Sequence, residues 1–249
     1  MTQVEPRSEE RHRAESVRLG VKQVLRDYAE ALVLAVVLAL VVRLFVISAY
    51  SVPTSSMDPS LKAGDFVFAY KLSYGLRLPF WPGKKVGQKL PERGDVVVFK
   101  CSRQAQSQYC VKRVVGLPGD RVQIHKKRLL LNGKYATYSQ HELGGAAGNL
   151  AKRPAGVLYE NIAGSQHLIK ITKAGDKDQF GPYVVPPDHV FVLGDNRDST
   201  EDSRDWGAIP VKDVEARVLF VWMSLDWSGH KEGQRLPRVR WNRLFTGPH

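Results

Sequence analysis

Between Glu30 and Asp58 runs ALVLAVVLALVVRLFVISAYSVPTSSM, whose only charge is Arg43. A helix from about Tyr28 to Tyr50 would be roughly 34 Å long at about 1.5 Å per residue, enough to cross a bilayer. A central arginine costs about 2.5–3.5 kcal/mol to insert. Arg43, however, lies roughly 10 Å along the helix from Tyr50, close enough for its guanidinium to snorkel to the interface. A cleaved signal peptide would not carry so long a polar segment ahead of its apolar core, and a buried core helix would not be apolar on every face. The run is therefore expected to span a membrane once.

Arg7, Arg11, Arg13, Arg18, Lys22 and Arg26 precede the span. The last three are close enough to bias the N-terminus toward the cytoplasm, which places everything after Tyr50 on the exported side. Beyond Arg43 the chain carries 30 Lys and Arg against 19 Asp and Glu. A basic domain on a short tether suits anionic lipid headgroups. Nucleic acid is not expected, because no basic and aromatic module of that kind accompanies the charge. Cys101 and Cys110 are too far apart for a CxxC redox pair and too few for zinc, which leaves a disulfide closing a hairpin as the plain reading.

After the span the pattern changes to short β-branched runs bounded by Gly, Pro and Asp: DFVFAYKL, GDVVVFK, YCVKRVVG, DRVQIH, RLLLNG, HVFVLGD and ARVLFVWM. No long amphipathic helix interrupts them, so the exported part is expected to be mainly β. The expected organisation is a cytoplasmic segment 1–27, a transmembrane helix 28–50, a β core from 51–124 and 187–249, and a smaller β insertion 125–186. The loop from Leu76 to Trp81, with Leu78 and Phe80, suits either a lipid interface or packing on the core. The tail places Arg235, Arg238, Arg240 and Arg243 around Trp241, either as a solvated end or as a second headgroup contact.

Three stretches can carry chemistry. SVPTSSMDPSL crowds hydroxyls just past the span, with Pro53 and Pro59 favouring an extended backbone. Taken alone it reads as a linker. A serine there needs a base, and none of His125, His141, His167, His189, His230 and His249 sits in an informative motif. A buried lysine can serve if desolvation lowers its pKa. Lys112, in YCVKRVVG, shares a strand face with Cys110 and Val114 while Arg113 points the other way, although an edge-strand lysine reaching solvent fits the same residues. GDNRDSTEDSRDWG, from Gly194 to Gly207, is rich in carboxylates, but its arginines disfavour a cation site and suit a buried Asp and Arg network.

Together PTSSMDPSL, RGDVVVFK, VKRVVGLPGD and GDNRDSTEDSRDWG, in that order after a membrane anchor, resemble the bacterial type I signal peptidases. These are membrane-bound serine proteases that cut signal peptides from exported proteins. The resemblance covers about 51–99, 109–122 and 190–210. It implies a signal-peptidase-like antiparallel β fold at the bacterial plasma membrane, with the catalytic domain on the periplasmic side. Ser56 is implied as nucleophile and a neutral Lys112 as general base, with the oxyanion held by the Ser56 amide and the Thr54 hydroxyl. Thr200 is implied to orient the lysine, and Asp202 and Arg204 to form a supporting ion pair with Asp195 and Arg197 nearby. Thr54 and Thr200 stand where the family often has serine. Substrates are implied to be preproteins bound extended and cut after Ala-x-Ala type sites. Met57, Val67 and Phe68 are candidates for the pockets. No cofactor or metal is implied, and the enzyme is expected to act as a monomer.

Overall fold

The computed structural model describes residues 6–77, 85–101, 108–140, 156–172, 177–227 and 237–248. It divides into two units, Met1–Val46 and Ile47–His249. Leu78, Phe80, Trp81, Arg235, His141, His230 and His249 lie outside the described residues.

The first unit is a helix, α1 (Pro6–Val41), that continues through a π-helical turn at Val42–Val46. Its Lys22–Val46 portion has a mean hydropathy of 2.6, long and apolar enough to cross a membrane. The helix ends four residues before the expected Tyr50. Ile47–Val52 is a strand, β1, paired with β2 (Asp65–Tyr70) so that Ile47 faces Tyr70 and Val52 faces Asp65. Pairing across the sheet gives this segment's backbone its partners, and the helix has no claim on them. Arg43 thus falls in the last helical turn. Ser56 lies ten residues past Val46, so the chain between them spans at most about 33 Å.

The second unit is mainly β. After β2 come β3 (Leu76–Arg77), β4 (Lys85–Val86), β5 (Val96–Cys101), β6 (Gln108–Gly116), β7 (Arg121–His125), β8 (Arg128–Leu131) and β9 (Lys134–Tyr135). They are followed by β10 (Thr137–Gln140), β11 (Gly156–Ile162), β12 (Ser165–Ile171), β13 (Gln179–Val184) and β14 (His189–Leu193). A short helix α2 (Ser203–Trp206), β15 (Ile209–Pro210), β16 (Val214–Asp226) and β17 (Arg238–Val239) complete the order. Each apolar run singled out in the sequence forms a strand. The main sheet runs β1-β2-β16-β5-β6-β14-β15, with β17 on β16. Residues 121–184 build two smaller sheets, β13-β7-β8-β9 and β10-β11-β12.

The centre of the main sheet is covered on both faces, which is why β5 reads VVVF without alternation. Val96 and Val98 join a core with Val52, Met57, Leu61 and Val67. Val97 and Phe99 join another with Val114, Val190 and Ile209. On β6 the same parity sends Lys112 toward the second core and Arg113 to the opposite face. A third core holds the smaller sheets against Phe191 and Leu193 of β14.

Candidate active site

The Ser56 segment is shaped by its apolar neighbours. Met57 and Leu61 are fully buried and enter one core with Val52 and Val67. Asp58 N donates to Ser55 O at 3.0 Å and Leu61 N to Met57 O at 2.8 Å, so the segment is a compact turn where the two prolines suggested an extended one. The turn leaves Thr54, Ser55 and Ser56 on the wall of a cleft. Thr54 Oγ1 donates to Ser56 Oγ at 3.2 Å.

Lys112 reaches the same cleft from β6. It is 5% exposed, and its Nζ donates to Thr200 Oγ1 at 2.7 Å. Burial pushes its pKa down from 10.5 to about 8, against the pull of Asp202 and Asp195. An amine this close to neutrality is a competent base near neutral pH. Thr200 follows β14, which pairs with β6 beside Lys112: Leu193 faces Arg113 and Val192 faces Val114.

Gly194 makes that junction possible. A Cβ there would lie 2.6 Å from the Ser56 carbonyl oxygen and 2.6 Å from both Thr200 Cγ2 and Oγ1. Next to it, Asn196 N donates to Ser56 O at 3.1 Å and its side-chain amide donates to Ser55 O at 3.2 Å. The Ser56 turn is therefore tied by its carbonyls to the loop that carries Thr200.

The acidic and basic groups of that loop pair in three directions. Arg204 donates to Asp202 through Nε at 2.9 Å and Nη2 at 2.8 Å. Asp195 accepts two bonds from Arg113, at 2.8 and 2.7 Å. Burial alone would raise the Asp195 pKa, but the Arg113 guanidinium holds it below the usual carboxylate range. Arg197 does not pair with its neighbour Asp195; it donates to Glu160 of β11 at 2.8 Å. Arg113 also donates to Ser60 Oγ and to the Pro248 carbonyl. Buried ion pairs of this kind add little net stability, because the cost of desolvating both charges offsets their attraction.

The cleft measures about 570 Å³ and is lined by Ser56, Lys112, Thr200, Phe99, Trp206 and Ile209 among others. Cys101 and Cys110, joined by a disulfide, form part of its wall. Met57, Val67 and Phe68 do not line it. Met57 and Val67 are core residues, and Phe68 stacks on Trp222 at 5.5 Å on the other side of the sheet from Val67. An apolar residue beside Ser56 is drawn into the core first. His125 contacts Gln179, His189 the Pro187 carbonyl and His167 Glu160. None of these three lines the cleft.

Sequence reasoning passed over Gly194, Asn196, Arg113 and Glu160. Glu160 carried a usable signal, because strand parity puts it between Leu158 and Ile162 on an inward face. That is the argument that singled out Lys112.

A signal peptidase family model, peptidase S26, matches residues 25–223. The signal peptidase I of Pseudomonas aeruginosa is 33% identical over 221 residues, covering 83% of this chain and 75% of its relative. That of Buchnera aphidicola subsp. Baizongia pistaciae is 31% identical over 265 residues, covering 90% and 83%. A crystal structure of a signal peptidase I from Enterococcus faecalis aligns with a TM-score of 0.32 at 26% identity, covering 52% of this chain and 97% of that one. With most of its length matched by the family model, and relatives above 30% identity along most of both chains, the chain belongs to the signal peptidase family, the serine peptidases that remove signal peptides from preproteins.

Proposed function

We propose that this peptidase cuts with a Ser56 nucleophile and a Lys112 general base. The observation that carries the reading is a desolvated lysine, with pKa lowered to about 8, in one cleft with Ser56 and bonded to Thr200. Lys112 Nζ takes the Ser56 proton as Oγ attacks the carbonyl carbon of the scissile bond. The oxyanion is held by the Ser56 amide and by the Thr54 hydroxyl, which rotates away from Ser56 Oγ; a single such donor is typically worth about 10²–10³ in rate. Lys112 then protonates the leaving amine, and the C–N bond breaks to give the acyl-enzyme. Next it takes a proton from the deacylating water, and finally it returns that proton to Ser56 Oγ as the ester bond breaks.

The substrate binds as an added strand. Residues 108–112 of β6 pair with β5 on one side, while pairing with β14 begins only at Arg113. That leaves a backbone edge beside Lys112 for an extended peptide. The confined cleft wall, with Phe99, Ile209 and the disulfide, suits small side chains of the Ala-x-Ala type. The anchor crosses with its N-terminus in the cytoplasm, which sets the cleft at the outer face of the membrane. Trp241 and Phe245, both largely exposed, meet lipid beside the exposed Arg238, whereas Arg240 and Arg243 turn inward onto Ser224 and Asp65.

The test is cleavage of an Ala-x-Ala preprotein in detergent, with the cut located by mass. Cleavage after the last alanine by wild type, with none from folded Ser56→Ala or Lys112→Ala, supports the assignment. Appreciable turnover in either variant refutes it.

A further inference from the structure

Lys177 belongs to none of the motifs and enters from the connection between β12 and β13. Its ammonium donates to the Thr200 carbonyl at 2.6 Å and to Asp205 Oδ2 at 2.6 Å. Thr200 is thus held through its carbonyl by one lysine while its hydroxyl accepts from another, Lys112. Asp205 is itself fixed, because it also accepts from the Asp202 amide at 2.9 Å in the capping box of α2.

The segment carrying Lys177 is pinned on both flanks. The buried Lys127 ammonium bonds Asp198 at 2.9 Å, Asp178 at 3.1 Å and the Thr172 carbonyl at 2.9 Å. Thr172 N donates to Asp198 at 2.7 Å, and Lys127 N donates to the Asp178 carbonyl at 3.1 Å. Lys177 reaches Thr200 from a built support, with its side chain 16% exposed, and it does so from the smaller sheets.

We propose that Lys177 is a positioning residue for the general base: it fixes Thr200 by its carbonyl so that the Thr200 hydroxyl holds the Lys112 amine toward Ser56. This rests on the Ser56 and Lys112 reading above. A carbonyl bond to a charged donor is among the stronger hydrogen bonds and constrains the peptide plane next to the hydroxyl.

The charge of Lys177 acts in the same direction as its hydrogen bond. After burial itself, the groups that set the Lys112 protonation state are Asp202 and Asp195, which favour the ammonium, and Lys177 and Arg204, which oppose it. Arg204 is committed to Asp202 and to the Arg197 carbonyl. Lys100, Glu201 and Asp213 line the same cleft. Removing the Lys177 cation therefore leaves the two carboxylates less opposed, and Lys112 holds its proton to higher pH.

The experiment compares full-length wild type, Lys177→Met, Lys177→Gln and Lys177→Arg in detergent, with kcat and KM for a preprotein followed from pH 6 to 10. Thermal unfolding gives the folded fraction of each, and Lys112→Ala runs alongside. Lys177→Met should lose kcat at pH 7 with KM unchanged and its acid limb moved to higher pH; each unit of movement removes roughly tenfold of the neutral amine at pH 7. The loss should shrink above pH 9. Lys177→Gln, which keeps a donor without the charge, should approach the wild-type plateau at high pH but keep the displaced limb, and Lys177→Arg should restore both. A wild-type profile in Lys177→Met, or an equal loss at every pH that arginine does not rescue, overturns the inference. Activity in Lys112→Ala would refute the dyad itself. An inactive Lys112→Ala beside a wild-type Lys177→Met refutes only the role of Lys177.

Discussion

Replacing Lys112 with methionine should abolish turnover and make the protein more stable. The ordinary lysine pKa of 10.5 falls to about 8 in the folded chain, and at about 1.4 kcal/mol per unit the buried amine costs the native state about 3 kcal/mol whenever pH lies below 8. Methionine has a similar length and no charge to desolvate. It gives up the bond to Thr200, about 1 kcal/mol, although the Thr200 hydroxyl keeps its own bond to the Glu201 carbonyl. The net gain at pH 7 is about 2 kcal/mol, or a rise in Tm of roughly 4–8 °C for a domain of this size. Between pH 8 and 10.5 the unfolded chain binds a proton that the folded one does not, so wild-type stability climbs with pH across that window. The gap between the two proteins should therefore close from pH 8 upward, and above pH 10.5 methionine should retain no advantage. Tryptophan fluorescence during thermal unfolding of the full-length proteins in detergent, from pH 6 to 10.5, measures this directly. A methionine variant less stable than wild type at pH 7, or a gap that ignores pH, would refute the claim that desolvation sets the Lys112 pKa.

The same titration governs activity: wild-type kcat/KM should rise roughly tenfold between pH 7 and 9, with its acid limb near 8. Thr200→Val keeps the shape but removes the acceptor for Lys112, and initial rates should fall by about 10–100-fold, while Thr200→Ser stays near wild type. Gly194→Ala forces a methyl against the Ser56 carbonyl and the Thr200 side chain; urea unfolding should show a loss of about 1–3 kcal/mol, with activity falling further than stability. Glu160→Gln leaves the Arg197 guanidinium buried without its carboxylate, and should cost about 3–5 kcal/mol by the same assay.

The long inner strands of the main sheet, β2, β5, β6, β14 and β16, were legible because each is an apolar run bounded by Gly or Asp on at least one side, and the strand parity that marks Lys112 is a local property. The end of the membrane helix was not legible. ISAY is equally suited to an apolar helix and to a strand, and only its pairing with FVFAY, twenty residues on, decides between them. Asp195 and Arg113 are far apart in sequence, so no local pattern joins them. Gly194 is required by two approaching segments, the Ser56 turn and Thr200, whereas a glycine closing an apolar strand is ordinary turn chemistry when seen in sequence alone. The pocket assignment failed for a related reason: hydrophobicity at Met57 and Val67 reports burial, and it cannot distinguish a core from a cleft wall. Lys177 carries no sequence signal, since its effect passes through a backbone carbonyl.

Arg113, next in the chain to Lys112, bonds the Pro248 carbonyl, and Phe245 N and Thr246 O exchange bonds with Val221. Residues 243–248 are thus bonded to the strand that carries Lys112 and to β16, whereas Ser56 and Thr200 stand far earlier in the chain. During synthesis residue 56 leaves the ribosome long before residues 200 and 243–248, and contacts of such separation close late. The cleft's framework therefore stays incomplete until residues 243–248 have been made.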